Sequence, residues 1–282
     1  MDEVRTGGTR VVGIIGWPVE HSLSPAIHNA AFRALGLDWV YVPLAVRPET
    51  LPQALTGLSA LGLAGANVTM PHKEDALRGC VALSEDAAVT RSVNTLVVSP
   101  RGLHGHNTDV PGFAGFLEED AGFDPTGRTA LVYGAGGAAR ACVLALVRSG
   151  AGSISVVVRD PARAEAVRLI GEGTERLVRV VAWADGPSGP ADLIVNATPV
   201  DGVGGELPLP PLGPGQLVVD LLYRPAVTPL VARAREAGAD AFSGLGMLVR
   251  QAALSFELWT GQVPPIGVMS AAALAELGTT SR

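Results

Sequence analysis

The chain has 282 residues, 48% of them hydrophobic and 17% charged, with a net charge of −6. That length supports a substantial core in one domain or two, and an acidic balance with no Lys/Arg-rich block argues against a nucleic-acid surface. Cys80 and Cys142 cannot make a disulfide framework and lie in no metal-ligand spacing, which points to a reducing, cytoplasmic setting and to no bound metal. The chain opens acidic rather than basic, and no apolar run reaches the ~18 residues of a membrane span, so neither a secretion signal nor a membrane helix is expected.

In chain order, RVVGIIGWP (10–18) predicts a strand. SPAIHNAAFRALG (24–36) predicts a helix with Ser24 as N-cap and Pro25 at its first position. WVYVPLAV (39–46) reads as strand, ETLPQALTGLSALG (49–62) as helix and AGANVTM (64–70) as strand. The exit of that last strand, NVTMPHK, crowds Asn67, Thr69, His72 and Lys73 around a proline. Two short helical stretches and a hairpin at 94–107 follow, and then the strand–helix alternation resumes. Strands that are continuously apolar rather than alternating suggest a sheet covered on both faces, and their alternation with helices predicts parallel α/β architecture. The boundary is placed at Asp109, before VPGFAGFLEEDAG. One domain is expected over 1–109 and 243–282 and the other over 110–242, with the C-terminal helices returning to the first.

ALVYGAGGAARACVLAL is an apolar strand, a glycine turn and a helix. Gly134, Gly136 and Ala139 fit G-x-G-x-x-G/A, which supplies a tight turn, close backbone approach to a pyrophosphate, and close helix–strand packing. The backbone of Gly134, Ala135, Gly136, Gly137 and Ala138 would cradle phosphates at the helix N-terminus. The next strand ends in Arg159, with Arg163 one turn on, where an NAD enzyme usually carries an acid. A guanidinium fork suits a 2′-phosphate, so NADP is expected over NAD. Asp160 stands against this, being placed either to repel a phosphate or to hold a hydroxyl.

Lys73 is the candidate acid/base of the first half, against the alternative of a solvated lysine on a surface helix. GHNTDV supplies Asp109 at the expected domain boundary, where a cleft between two α/β domains is a common ligand site. A carboxylate there would keep the lysine charged and fixed.

GWPVEHSLSPAIHNA, NVTMPHK, SVNT, GHNTD, GAGGAAR, NATP and DLLYRP…GLGMLVRQA, in this order from about residue 10 to 260, resemble the shikimate dehydrogenase family. The resemblance implies a substrate domain plus a Rossmann-like NADP domain. It also implies reversible NADPH-dependent reduction of 3-dehydroshikimate to shikimate, on the way to chorismate and aromatic amino acids, by a monomer or homodimer. By motif, Ser22 and Ser24 would hold the substrate carboxylate and Tyr223 would close on that end. Thr69, Asn94, Asp109 and Gln251 would bind ring hydroxyls, with Lys73 as acid/base and Asp109 as its partner. Arg159 and Arg163 would bind the NADP phosphate, and Leu221, Gly244 and Met247 would line the nicotinamide. Three positions depart from the family pattern. Val158 replaces a frequent asparagine, Asp160 a small hydroxyl residue, and Ser243 an acid or amide; the first two bear on the choice of NADP over NAD. Rival readings are an NAD(P)-dependent quinate/shikimate or aminoshikimate dehydrogenase, and a catalytically silent dinucleotide sensor that would lack Lys73 or Asp109.

Overall fold

Short, β-branched strands separated by Ala/Leu-rich helices fold into two units in the computed structural model, one formed by Met1–Thr108 and Val249–Arg282, the other by Asp109–Leu248. Asp109 and residues 243–248 thus fall in the second unit rather than the first. The structure describes residues 6–172, 178–187, 189–200 and 207–279, without the side chains of Arg163 and Thr279.

The first unit begins with β1 (Arg10–Gly16), α1 (Ser24–Ala34), β2 (Trp39–Ala45), α2 (Leu51–Ala60), β3 (Gly65–Val68), β4 (Cys80–Leu83), α3 (Glu85–Thr90), β5 (Thr95–Ser99) and β6 (Gly102–His106). Its sheet runs β2-β1-β3-β5-β6-β4. It is mixed rather than wholly parallel, because the hairpin strand β5 is antiparallel to both β3 and β6. The edge strand β4 was not expected from sequence, because Val81, Ala82 and Leu83 lie open to solvent and give no apolar face to read. Helix α1 starts one residue earlier than predicted: Leu23 holds the N-cap position without a side-chain cap, and Ser24 is already helical. The hydroxyl of Ser22 accepts from Ser24 N at 3.2 Å, so a cap-like bond comes from two residues upstream.

The second unit opens with α4 (Asp109–Gly115), which continues as a π-helical turn to Asp120. Then follow β7 (Thr129–Tyr133), α5 (Gly137–Arg148), β8 (Ser153–Val158), α6 (Glu165–Ile170), β9 (Val178–Ala182), β10 (Leu193–Asn196), β11 (Leu217–Asp220), α7 (Pro229–Glu236) and β12 (Asp240–Ser243). Its sheet runs β12-β11-β10-β7-β8-β9 and every pairing is parallel. Counted within the unit, this is the doubly wound order 3-2-1-4-5-6, with the switch point between β7 and β10. Val132, Val156, Val195 and Val219 are fully buried in the core beneath α5, each stabilising by about 1.5–3 kcal/mol on transfer from water.

Helix α8 (Leu245–Thr260) leaves the second unit after Leu248 and, with α9 (Ile266–Thr279), completes the first. Helix α9 packs on α1. Phe256 stacks on Phe32 with ring centroids 5.2 Å apart, and the Trp259 indole donates to the Leu96 carbonyl at 2.9 Å. Gly65 opposes that bond, and a Cβ there would strike the Leu96 carbonyl and the Trp259 indole, so α8 seats against β3 only because the residue is glycine.

Candidate active site

In the first unit, a buried polar network crosses from β3 and β5 to α8. Asn67, the third residue of β3 and 5% exposed, lies at its centre. Its Oδ1 accepts from the Tyr41 hydroxyl at 2.8 Å. Its Nδ2 faces the Asn94 carbonyl at 3.1 Å and the hydroxyls of Thr95 and Ser255 at 3.0 Å each. From there the network reaches two of the expected substrate residues. Asn94 Nδ2 donates to Thr108 Oγ1 at 2.8 Å and to Gln251 Oε1 at 3.2 Å, while Asn94 Oδ1 accepts from Thr108 N at 2.7 Å. Ser255 donates to the Gln251 carbonyl one helical turn back, at 3.0 Å. Asn94 and Gln251 are 2% and 8% exposed, so Gln251 does not occupy a solvent face of its helix. Each amide has its orientation set before any ligand arrives.

The other expected residues of this unit surround the ends of β1 and β3. Ser22 is half-buried and Ser24 buried at the start of α1. Strand β3 stops at Val68, two residues short of the expected end, so Thr69 to Lys73 form a turn. Thr69 N donates to the Ile15 carbonyl, and the Lys73 carbonyl accepts from Val93 N, both at 2.8 Å, which puts the half-buried lysine's backbone one residue away from Asn94. His72 is 1% exposed, and its Nε2 donates to the Val46 carbonyl at 2.7 Å. It pins the turn to the end of β2. His28 is fully buried, stacked on Tyr41 with centroids 4.4 Å apart. Burial lowers its pKa to about 3, against a weaker opposite pull from Asn67, so the ring is neutral.

In the second unit, the glycine turn sits where the topology places a ligand crevice, at the carboxyl ends of β7 and β10. Gly134 has φ +108°, and a Cβ there would lie 3.0 Å from the Ala197 carbonyl. Gly136 occupies the N-cap of α5 with no side-chain cap and faces open space. No side-chain cap therefore closes the N-terminus of the 12-residue helix α5. Arg159 is exposed at the end of β8, its guanidinium 5.9 Å from the centroid of the Trp183 ring, within range of a cation–π contact. The Asp160 carboxylate accepts from Ala162 N at 3.0 Å and caps the following turn, so it is directed at the helix start. The side chain of Arg163 lies outside the described residues.

Asp109 begins α4 and is 5% exposed. Leu221 and Tyr223 lie half-buried beyond β11; burial raises the Tyr223 hydroxyl's pKa, with the Arg224 charge pulling the other way. Gly244 is required, because a Cβ would meet the Leu221 carbonyl. Met247 is 6% exposed and packs into the unit's core.

Several residues were not singled out from sequence: Tyr41, Thr95, Thr108 and Ser255 of the first unit's network, and Asn196, Asp220 and Thr228, which form a buried hydrogen-bonded group in the second unit. Asn196 and Asp220 were visible inside the NATP and DLLYRP motifs. Ser255, 188 residues from Asn67, gave no local signal.

A glycine turn opening a helix at the switch point of a doubly wound sheet is where such folds take a dinucleotide, and together with the buried amide–hydroxyl cluster of the first unit it is the pattern of a dinucleotide-dependent dehydrogenase. Residues 14–96 match the family model of the shikimate dehydrogenase substrate binding domain, and residues 244–274 that of the shikimate 5′-dehydrogenase C-terminal domain. The sequence is 45% identical to the shikimate dehydrogenase (NADP(+)) of Citrifermentans bemidjiense, over 97% of this chain and 98% of that one. A crystal structure of a shikimate dehydrogenase in complex with NADP+ superposes with a TM-score of 0.88 at 36% identity, over 97% of this chain and 98% of that chain. The Thermus thermophilus enzyme in complex with NADP(H) and shikimate gives 0.84 at 36% identity, over 95% and 99% of the two chains. The chain belongs to the shikimate dehydrogenase family.

Proposed function

We propose that this protein reversibly reduces 3-dehydroshikimate to shikimate with NADPH, in the cytoplasm, as a step toward chorismate and the aromatic amino acids. The observation that carries the reading is the preset pair Asn94 and Gln251, 3.2 Å apart in a buried amide–hydroxyl cluster of the kind a polyhydroxylated ring requires. When bound, NADPH supplies the hydride. The residues present fit it: Gly136 leaves open space at the N-terminus of α5, and Arg159 offers a permanent charge for the 2′-phosphate while Asp160 is held in a cap. The backbone from Gly134 to Ala138 would hold the pyrophosphate, and by motif Arg163 is assigned to the phosphate site. By motif, Leu221, Gly244 and Met247 would line the nicotinamide.

Ser22 and Ser24 hold the substrate carboxylate, with Tyr223 at the same end. Thr69, Asn94, Asp109 and Gln251 take ring hydroxyls. As the ketone carbon is reduced, its oxygen gains negative charge, and the Lys73 ammonium stabilises that charge and gives up a proton to it. In the oxidation direction neutral Lys73 accepts the hydroxyl proton. By motif, Asp109 is assigned as the partner of Lys73.

The test is a steady-state matrix of shikimate and quinate against NADP and NAD. The reading expects shikimate with NADP to give the highest kcat/KM. A clear preference for quinate with NAD would favour the quinate/shikimate alternative, for which Val158, apolar and 5% exposed at the end of β8, is the feature that speaks.

A further inference from the structure

The carboxyl end of β11 holds an acidic side chain that the chemistry above does not use. Asp220 is fully buried, as are its neighbours Asn196 and Thr228. Asn196 faces Asp220 in register across β10 and β11. Its Nδ2 donates to Asp220 Oδ1 at 2.9 Å, and the Leu222 amide donates to the same oxygen at 3.2 Å. The Thr228 hydroxyl donates to Asp220 Oδ2 at 2.6 Å and in turn accepts from Val231 N at 3.3 Å, capping α7. One carboxylate therefore ties the start of the segment between β11 and α7, at Leu222, to its end, at Thr228. Asn196 carries the tie to the neighbouring strand end, because its carbonyl accepts from Leu221 N at 2.9 Å and its Oδ1 accepts from the Thr198 hydroxyl at 2.7 Å. A short segment gripped at both ends by one carboxylate has little freedom to shift. Buried charge-assisted bonds are strong when satisfied and costly when broken.

We propose that Asp220 is a positioning residue for hydride transfer, its carboxylate setting the Leu221–Tyr223 segment through Leu222, Asn196 and Thr228. This rests on the reading above, in which Leu221 lines the nicotinamide and Tyr223 the substrate. Fully buried, the carboxylate acts through the backbone from which both side chains project. Misplacement of a contact by about 1 Å is enough to cost up to ~10²-fold in rate.

The experiment compares Asp220→Ala, Asp220→Asn, Thr228→Val and Thr228→Ser with the wild type in three readouts. These are kcat and KM for shikimate with NADP, the Kd of 2′,5′-ADP, and the melting temperature. The nucleotide probe carries the 2′-phosphate and no nicotinamide, so it tests the sites proposed for the glycine turn and Arg159 and not the one proposed for Leu221. Asp220→Ala and Asp220→Asn should lower kcat about tenfold or more, with the Kd of 2′,5′-ADP within about twofold. Thr228→Val should lose kcat in the same sense, and Thr228→Ser, which keeps the hydroxyl, should restore it. If the Asp220 variants do not fold, the Thr228 pair decides alone. A Thr228→Val kcat equal to that of wild type, or a loss that Thr228→Ser does not repair, overturns the proposal. A weakening of 2′,5′-ADP in parallel with kcat also overturns it, since that is the mark of a merely structural role. A wild type inactive on shikimate with NADP would instead bring down the reading on which the proposal rests.

Discussion

At the scale of single residues, the proposed function assigns the choice of cofactor to Arg159 and Asp160. The arginine is always charged, and its planar fork matches a phosphate; Trp183 lies beneath the guanidinium at 5.9 Å. The aspartate would oppose a phosphate if its carboxylate faced the same way, but it caps the turn at Ala162 N. Arg159→Ala should therefore weaken NADP binding by about 1.5–3 kcal/mol, the range for a hydrogen bond to a charged group. NAD has no 2′-phosphate and its affinity should barely move. Titration calorimetry with both nucleotides checks this, and equal losses would remove the arginine from the 2′-phosphate site.

At the scale of elements, α1, β2, β3 and α8 meet around His28. The ring is stacked 4.4 Å from Tyr41 and lies 5.3 Å from Trp259, with no exposure to water. Tyr41 in turn holds Asn67, and through it the Asn94–Gln251 cluster. Because burial lowers the His28 pKa from 6.5 to about 3, the unfolded chain binds a proton at this site in that window while the folded one does not. The stabilising contribution is complete above the unfolded value and is lost as pH falls from 6.5 toward 3. The expected slope from this one group is about 1.4 kcal/mol per pH unit. Urea unfolding at about pH 7 and about pH 4.5 should show that loss in the wild type and a smaller one in His28→Phe. An identical pH dependence in the two proteins would mean that His28 is accessible to protons in the folded state.

At the scale of the whole molecule, what could be read from sequence was what is local. The strand–glycine–helix run at 129–148 and the apolar strands of the second unit carry their own signals, whereas the return of α8 and α9 to the first unit was expected from topology and not from a local signal. Strand β4 carried none, because an edge strand with open side chains has no periodicity to detect. Helix α7 and strand β12 were likewise not singled out. The site residues with motif neighbours, such as Asn94 in SVNT, were visible. Those that serve them from afar were not, because Ser255 reaches Asn67 only once the chain has closed on itself. In the proposed function, Lys73 moves the proton that accompanies hydride transfer. Proton transfer by a positioned side chain contributes ~10²–10⁴-fold in rate. The direct test is single-turnover reduction of 3-dehydroshikimate by Lys73→Ala with bound NADPH. The account predicts hydride transfer slowed by about 10²–10⁴-fold with NADP affinity within about twofold of wild type. Transfer within about threefold of the wild-type rate would contradict it, and the chemistry would have to be assigned to another group.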